Sequence, residues 1–279
     1  MLHSPGPILV DLGKLFGAGY SLPIRWYGLL TGLGFLVSAI YVNFLIAKRA
    51  NEEQKQNLID VLFWCFFGGI VGARLWFVAL SWDYFAAQPI KIFHIWEGGQ
   101  SIQGGFVGGI LSGLFFYWLK KADSKPESYL NRLFVCDLFG LALPLAQAIG
   151  RWGNFFNTEA FGKPTNLPWG QFVPPHLRPE QYLGSSSFHP TFLYESIYLL
   201  FVAGFLYFLF RRRDSGLIKL NNGTILCIYF MLYSLGRFFL ESMRTDSLYI
   251  SIFPAAQVVC VLTFGLALLF AFRFSRVQA

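Results

Sequence analysis

Residues 133–162 read LFVCDLFGLALPLAQAIGRWGNFFNTEAFG and contain the two features that decide the fold. The first part, Leu133 to Ile149, is an apolar run, and the second, Gly150 to Gly162, holds one Arg, two Asn and one Glu among three glycines. A charged side chain at the bilayer centre costs at least ~2.5–3.5 kcal/mol, so ionisable residues there usually have a function. The cluster predicts a polar binding surface at the membrane border. The alternative is a helix end anchored at the interface by Arg151 and Trp152.

Composition places the chain in the membrane. Hydrophobic residues make up 55% of it, charged residues only 13%, and the mean hydropathy is +0.49. Several apolar runs reach the length that spans a bilayer, which predicts an all-α, polytopic integral membrane helix bundle. A β-barrel is excluded because the sequence lacks alternation with a period of two. The net charge of +7 favours anionic lipid and basic cytoplasmic loops over nucleic acid.

The apolar runs predict about seven transmembrane helices, each near the ~20 residues that a bilayer requires. They cover residues 26–47, 58–80, 102–119, 133–150, 191–210, 223–240 and 253–272. We interpret residues 1–279 as a single membrane domain. The first 22 residues lack a basic n-region, so we do not expect a cleavable signal peptide.

Basic residues predict the orientation. The loops after the first, third, fifth and seventh spans are rich in Lys and Arg, which places them in the cytoplasm, with the N-terminus outside and the C-terminus inside. The residues concerned are Lys48, Arg49, Lys55, Lys120, Lys121, Lys125, Arg132, Arg211, Arg212, Arg213, Lys219, Arg273 and Arg276. The longest connection, residues 151–190, then forms an outer loop or head subdomain, a length that is usually functional.

Two further polar motifs lie near the second and third spans. Arg74 follows Gly72 and Ala73 within the second span, where structural pairing and anion binding are both open. Residues 96–105 read WEGGQSIQGG, either a re-entrant turn that lines a cavity or a simple glycine-rich turn. Glycines four residues apart, such as Gly68 and Gly72, predict close helix packing.

The fifth and sixth spans carry the remaining ionisable groups. His189 precedes the fifth span and Glu195 lies about one turn inside it, where it needs a partner or water. On the sixth span, Tyr233, Arg237, Glu241 and Arg244 share one helix face by spacing. An Arg237–Glu241 pair alone is compatible with a structural role. However, guanidinium is suited to phosphate recognition, and Arg151, Arg237 and Arg244 all fall at the outer border. A site there would bind a phospholipid.

The four cysteines, Cys65, Cys136, Cys227 and Cys260, each lie within an apolar run and form no C-x-x-C pair. Neither a disulfide framework nor a zinc site is indicated.

With these motifs the chain resembles the bacterial prolipoprotein diacylglyceryl transferase family, from about Arg25 to Gln257. The most specific element is the GRxGNFxNxExxG signature over residues 150–162. The others are the Tyr27–Gly28 pair, the G-A-R of the second span, the glycine-rich turn, H-P-x-x-L-Y-E over residues 189–195 and G-R-F-x-x-E-x-x-R over residues 236–244. Seven spans with an outer N-terminus also agree with the family.

The resemblance implies a transferase of the bacterial cytoplasmic (inner) membrane. Such an enzyme moves the diacylglyceryl group of phosphatidylglycerol to the lipobox cysteine thiol of a preprolipoprotein, forming a thioether and releasing glycerol phosphate. It implies no cofactor and no metal. The implied catalytic residues are Arg151, Arg237, Gln103 and Tyr27. The implied substrate-binding residues are Asn154, Asn157, Glu159, Gly162, Gly104, Gly105, Glu241, Arg244, Arg74, His189 and Glu195.

The chain departs from the family at one position. Members commonly have a histidine in the turn, as G-G-x-S-x-H-G-G, often assigned as the base that activates the thiol, and here that position is Gln103. Glutamine forms hydrogen bonds but does not take up a proton near neutral pH. His189 or Glu195 could replace the base, or the thiol could react without one, because a few per cent is already thiolate at pH 7.

Two other function classes compete with the transferase. A transporter for an anionic substrate would show two halves with matching irregular segments, which the sequence lacks. A non-catalytic lipid-binding scaffold would bind an anionic phospholipid without turnover. Thiol-dependent release of glycerol phosphate separates the enzyme from both.

Overall fold

The computed structural model describes residues 1–17, 21–123, 130–247, 249–250 and 252–276. Lys125, one of the predicted cytoplasmic basic residues, lies outside the described residues. The described helices are α1 (Leu12–Leu15), α2 (Trp26–Ile46), α3 (Glu52–Leu80), α4 (Trp82–Ala87), α5 (Ile102–Asp123), α6 (Arg132–Asn157), α7 (Thr191–Asp214), α8 (Thr224–Glu241) and α9 (Ala255–Arg276). The strands are β1 (Ile8–Asp11), β2 (Pro23–Arg25), β3 (Gln171–Phe172), β4 (Ser187–Phe188), β5 (Tyr249–Ile250) and β6 (Phe253–Pro254), paired as β1–β2, β3–β4 and β5–β6.

Each of the seven predicted spans coincides with one long helix. Six of these helices are long and apolar enough to cross a membrane by length and composition: α2, α3, α6, α7, α8 and α9. The chain is therefore a multi-pass membrane helix bundle. The third predicted span, over α5, and the orientation stay predictions.

The fourth helix is longer than its predicted span. The apolar run ends at Ile149, but α6 continues through the polar signature to Asn157. The connection to α7 therefore begins at Thr158 instead of Arg151. The helix can continue through polar residues because its backbone N–H and C=O groups bond to each other, whatever the polarity of the side chains.

The chain forms two compact units, each of which is described by itself. The first contains residues 1–9, 25–42 and 132–279, and the second contains residues 10–24 and 43–131.

Close glycine packing holds the second unit together. α3 packs along α5, and an added Cβ on Gly72 would lie 2.4 Å from the carbonyl oxygen of Gly104 and 2.7 Å from Cα of Gly108. Such distances are impossible for any larger residue, so these positions require glycine. The small-residue pairing predicted for Gly68–Gly72 and Gly104–Gly108 is confirmed.

The first unit is built around α6, α7 and α8, with α9 packed on α8. Buried hydroxyls join its helices by donating to main-chain carbonyls. Ser38 Oγ on α2 donates to Ala142 O at 3.1 Å, and Ser196 Oγ on α7 donates to Ala148 O at 2.9 Å. Because no water reaches a bilayer core, such bonds satisfy side chains that would otherwise be costly.

A buried carboxylate joins three of these helices at one end. Asp137 on α6 is fully buried, and its Oδ1 accepts from the backbone N–H of Leu226, in the first turn of α8, at 3.1 Å. Its Oδ2 pairs with Nη1 of Arg213 near the end of α7 at 2.5 Å. Gly223, the N-cap residue of α8, has no side chain for this purpose. Asp137 therefore caps α8 from a neighbouring helix.

Residues 158–190 fold into a small segment with its own core. β3 pairs antiparallel with β4, with Gln171 opposite Phe188. Phe161, Val173 and Phe188 are buried together, with Tyr182 packed against them. The chain start adds to this sheet, since Leu2 and Gln171 form a parallel bridge.

Candidate functional site

Three helices of the first unit bring their ionisable side chains to one place. Arg151 comes from the last two turns of α6, Glu195 from the second turn of α7, and Arg237 from the last turns of α8. Glu195 Oε1 accepts from Arg237 Nη1 at 2.8 Å, and its Oε2 forms an ion pair with Nε of Arg151. The side chain of Glu195 is only 6% exposed, whereas those of Arg151 and Arg237 are 22% and 16% exposed. A single carboxylate thus bridges the two arginines predicted to lie together.

The two arginines differ in how many donors remain. Both terminal nitrogens of Arg237 have a carboxylate partner. Nη1 donates a hydrogen bond to Glu195. Nη2 lies 2.5 Å from Glu241 Oε2 and forms an ion pair with it, but the angle between the groups does not fit a hydrogen bond. By contrast, Arg151 pairs with Glu195 through Nε, and its Nη1 and Nη2 make no hydrogen bond to any residue that the structure describes. The open fork of Arg151 is the geometry that binds two oxygens of a phosphate.

The charged cluster continues beyond the end of α8. Arg244 Nε lies 4.0 Å from Glu241 Oε2, and Arg244 makes a two-pronged contact with Asp246, with Nε and Nη2 at 2.9 and 2.8 Å from the carboxylate oxygens. Burial opposes the charge on Arg244, but Asp246 and, further away, Glu195 and Glu241 attract it, so the pKa of Arg244 lies above its ordinary value. The predicted pairing of Glu241 with Arg237 is present. Asp246 was missed, although an acidic residue two positions from Arg244 is visible in the sequence.

The signature continues as a second polar cluster on the same face of α6. The side-chain amides of Asn154 and Asn157 both donate to Glu159 Oε1, at 2.8 and 3.3 Å. Glu159 lies between two residues in the left-handed region, Thr158 with φ 53° and Ala160 with φ 57°. Such conformations cost about 1–3 kcal/mol each and concentrate at functional sites. The strained turn fixes the carboxylate of Glu159 against the two amides.

At Gly162 the backbones of three motifs come together: the signature, the motif over residues 189–195 and the motif over residues 236–244. Its N–H donates to His189 O at 2.9 Å, and it forms an antiparallel bridge with Arg244. A Cβ at this position would lie 2.9 Å from Cβ of His189 and 3.1 Å from the carbonyl oxygen of Met243. The end of the signature therefore needs glycine for close backbone approach. His189 itself has its Nδ1 3.1 Å from the hydroxyl of Tyr194.

The start of α2 packs on the signature. The ring of Tyr27 fills the space beside Gly153, where an added Cβ would lie 2.6 Å from the ring carbon Cδ2. Next to it, the rings of Trp26 and Phe156 are stacked with centroids 4.4 Å apart. Tyr27 thus lies directly against the helix that carries Arg151 and Asn154.

Arg74, in the second unit, has all five of its N–H groups bonded to main-chain carbonyls. Its side chain is buried beside the ring of Phe85, whose centroid is 5.1 Å from the guanidinium carbon. The acceptors are the carbonyl oxygens of Lys91, Ile92, His94, Gly98 and Gly99. Of the two alternatives for Arg74, the structure favours structural pairing. Arg74 holds the segment before α5 in place and offers no further N–H to an anion.

The turn that follows carries Gln103 at the start of α5. The Gln103 side chain is exposed, and its Oε1 accepts from the hydroxyl of Ser101 at 2.8 Å. Gly104 packs against Trp76 and Gly72. The glycines of this turn therefore have a packing role whatever they bind.

The predicted site residues fall into two groups. One group is assembled in the first unit: Tyr27, Arg151, Asn154, Asn157, Glu159, Gly162, His189, Glu195, Arg237, Glu241 and Arg244. The other lies in the second unit: Arg74, Gln103, Gly104 and Gly105. Tyr198 was missed. Its ring fills the space left by Gly236, and its hydroxyl donates to Leu232 O at 2.7 Å. The glycine directly before Arg237 was the available signal.

Comparison with known proteins gives a consistent picture. Residues 14–273 match the model of the family described as prolipoprotein diacylglyceryl transferase. The chain is similar to the phosphatidylglycerol–prolipoprotein diacylglyceryl transferase of Trichormus variabilis, with 41% identity over 96% of this chain and 89% of the relative. It is also similar to the proteins of the same name from Fervidobacterium nodosum, with 42% identity over 86% of this chain and 77% of the relative, and from Thermotoga maritima, with 44% identity over 85% and 76%. The match covers the signature, the Arg151–Glu195–Arg237 bridge and the motif that ends α8, and the chain therefore belongs to the prolipoprotein diacylglyceryl transferase family.

Proposed function

We propose that this chain transfers the diacylglyceryl group of phosphatidylglycerol to the lipobox cysteine thiol of preprolipoproteins. The single observation that carries the proposal is the meeting of Arg151, Glu195 and Arg237 from three membrane helices, with the fork of Arg151 open. Membership of the family supports it. No feature of the described residues favours a transporter or a non-catalytic scaffold.

The reaction needs stabilisation of a developing phosphate charge. The thiol sulfur attacks the glycerol carbon of the diacylglyceryl group, the bond between this carbon and the phosphate oxygen breaks, and its electron pair stays on the oxygen. The thiol proton passes to solvent or buffer, and glycerol phosphate leaves. Guanidiniums already in place stabilise this charge without reorganisation. We assign the two-pronged contact with the phosphate to Arg151, and to Arg237 a supporting charge held in position by Glu195 and Glu241.

The other site residues are assigned around this centre. Asn154, Asn157 and Glu159 form a preorganised set of polar groups on the same face as Arg151, suited to the hydroxyls of the glycerol headgroup. Tyr27 lies against the helix that carries them. Gly162 allows the backbones around it to approach closely. The remaining predicted residues are assigned a structural role: Arg74, Gly104, Gly105, His189 and Arg244.

The thiol is proposed to react without a base at position 103. Gln103 cannot accept a proton, and a free thiol with a pKa near ~8.5 already supplies a few per cent of thiolate at pH 7. Nearby arginines would increase that fraction. Gln103 then orients a substrate by hydrogen bonding.

We place the protein in the bacterial inner membrane with seven spans, of which α5 is the third, with the N-terminus outside and the C-terminus inside. Residues 1–279 then form one membrane domain, whose outer loop or head covers residues 151–190. The alternating basic loops support this arrangement. No cofactor or metal enters the proposed reaction.

The direct test is turnover with defined substrates. The full chain in phosphatidylglycerol nanodiscs is given a lipobox peptide, and released glycerol phosphate is measured. We expect release only with both the lipid and the cysteine peptide, together with a thioether product of the corresponding mass. A peptide with serine in place of the cysteine is the matched control. Glycerol phosphate release that is independent of the thiol, or no release from folded protein, would overturn the proposal.

A further inference from the structure

The carboxylate of Glu195 contacts both Arg151 and Arg237. Its two oxygens reach Nη1 of Arg237 and Nε of Arg151, and it is nearly fully buried. It therefore does more than orient one partner. It places a fixed negative charge directly beside the position where Arg151 would hold a phosphate.

The formal charges of the cluster balance. It consists of the three guanidiniums of Arg151, Arg237 and Arg244 and the three carboxylates of Glu195, Glu241 and Asp246, a net charge of zero. Asp246 is more exposed than the other two carboxylates, so water screens its charge more. Without Glu195 the same groups would carry +1.

The charge of the bound phosphate changes during the proposed reaction. Phosphatidylglycerol is a phosphodiester with one negative charge. When the carbon–oxygen bond breaks, the leaving group becomes a phosphomonoester, which carries about −1.5 to −2 charges at neutral pH. In a poorly solvated site, a doubly charged anion loses more hydration free energy than a singly charged one, so it needs more compensating positive charge to be held.

We infer that Glu195 is a specificity-determining residue that matches the site to a singly charged phosphodiester and drives out the doubly charged monoester product. The inference rests on the proposed function. The substrate diester adds a single negative charge to this balanced cluster. The product adds a second negative charge close to the Glu195 carboxylate, and like-charge repulsion favours its release. A site without Glu195 would retain its own product.

Two probes with the same glycerol headgroup separate charge from shape. Glycerol phosphate is the doubly charged monoester, and its methyl ester is a singly charged diester. Binding of each at pH 8 to the full chain in detergent micelles is measured by titration calorimetry. The variant is Glu195→Gln, which keeps the side-chain length and one acceptor oxygen but removes the charge. The matched control is Glu180→Gln, an exposed carboxylate in the connection between α6 and α7.

Glu195→Gln is expected to bind glycerol phosphate at least about tenfold more tightly than the unsubstituted chain, with the methyl ester changed by less than about threefold. Inhibition of turnover by added glycerol phosphate is expected to strengthen in parallel. Glu180→Gln is expected to leave both affinities unchanged. Equal or weaker binding of glycerol phosphate by folded Glu195→Gln would overturn the inference, because a purely structural Glu195 would weaken the binding of both anions.

A second variant guards against failure to fold. Glu241→Gln removes the other buried carboxylate of Arg237 and raises the net charge by the same amount, but it leaves the Glu195 bridge intact. It is expected to tighten glycerol phosphate binding in the same direction and by less, because Glu241 is not paired with Arg151. No tightening by Glu241→Gln, where Glu195→Gln cannot be purified, would also overturn the inference.

The binding measurement distinguishes this inference from the proposed function because it requires no turnover. Tighter monoester binding with no thiol-dependent reaction would support the charge role and refute the transferase. Normal turnover without any charge selectivity would support the transferase and refute the charge role.

Discussion

Arg151 and Arg237 contact the same carboxylate but offer different numbers of donors, and this decides how each should respond to substitution. Lysine keeps the charge and removes the planar fork. We expect Arg151→Lys to lower turnover by roughly 10²–10³, the cost of losing one preorganised donor set to a developing anion. Arg237→Lys is expected to be severely impaired as well, because lysine has no planar fork whose separate nitrogens reach Glu195 and Glu241. The double variant should lose less than the product of both losses, since the two act as a unit.

The measurement is phosphatidylglycerol-dependent turnover at equal amounts of folded protein. Arg25→Lys is the control, because Arg25 is an exposed arginine just before α2. It is expected to behave like the unsubstituted chain. Near-normal rates for Arg151→Lys and Arg237→Lys would return both residues to a structural role.

Gln103 supports a second prediction at the residue scale. Its side chain is exposed and accepts a hydrogen bond from Ser101. An amide side chain can orient a substrate by hydrogen bonding, but it does not take up a proton. We expect Gln103→Ala to lose only a few-fold of activity, and Gln103→His to gain activity with an altered pH–rate profile. The pH–rate profiles of the three proteins are compared. A loss of several orders of magnitude in Gln103→Ala would show that Gln103 itself holds the thiol or the lipid.

The sequence predicted that Arg151 and Arg237 lie near each other, but not the way they are held. Arg151 and Arg237 were placed together because both fall at the same border within dense polar motifs. Glu195 was predicted to need a partner, but its pairing depends on helix rotation and on contacts 42 and 44 residues away, which spacing does not specify. Arg74 was left open between two roles, because its partners are main-chain carbonyls and these have no sequence signal.

At the scale of elements, the connection after α6 depends on backbone crossing at Gly162. A methyl group there would press on His189 and Met243, so Gly162→Ala should destabilise the fold by about 1–3 kcal/mol and lower activity with it. Thermal unfolding in detergent measures the effect. Gly150→Ala is the matched control, because Gly150 is within α6 with no atom within 4 Å of an added Cβ. Alanine should keep or raise stability there, and equal melting of both variants would contradict the crowding argument.

The buried cap of α8 supports another element-scale prediction. Asp137→Asn keeps an oxygen for the N–H of Leu226 but leaves the charge of Arg213 without its partner. Breaking a buried pair on one side typically costs about 3–5 kcal/mol, so a large drop in melting temperature is expected. Replacing both residues together, as Asp137→Leu with Arg213→Met, should recover much of that loss.

The control for this cap is a partly exposed pair. Asp60 and Lys120 lie 3.9 Å apart with side chains 27% and 48% exposed. Asp60→Asn should therefore cost at most about 1 kcal/mol. Asp137→Asn melting no lower than Asp60→Asn would show that the α8 cap contributes little.

The long apolar runs predicted the positions of the helices well, but predicted where the helices end less well. All seven predicted spans coincide with helices, because length and hydropathy are enough to identify them. The end of α6 was placed seven residues early, at Gly150 instead of Asn157, because polar residues were taken as the end of the helix. The two-residue strands β3 and β4 were not predicted, since such short pairs depend on tertiary contacts, here the core of Phe161, Val173 and Phe188.

At the scale of the whole molecule, the predicted orientation can be tested by chemical labelling from outside the cell. The basic loops that follow alternate spans predict that α2 begins on the outer side of the membrane. With this orientation, the exposed residue Asn166 should lie on the outer side and the exposed residue Glu53 on the cytoplasmic side. In intact cells a membrane-impermeant maleimide is expected to label Asn166→Cys but not Glu53→Cys, and to label both after the cells are opened. The unsubstituted chain is the blank, because its four cysteines lie in α3, α6, α8 and α9. Labelling of Glu53→Cys with protection of Asn166→Cys would invert the orientation, and it would move the Arg151 site to the cytoplasmic side, where the lipobox cysteine of an exported preprolipoprotein would not meet it.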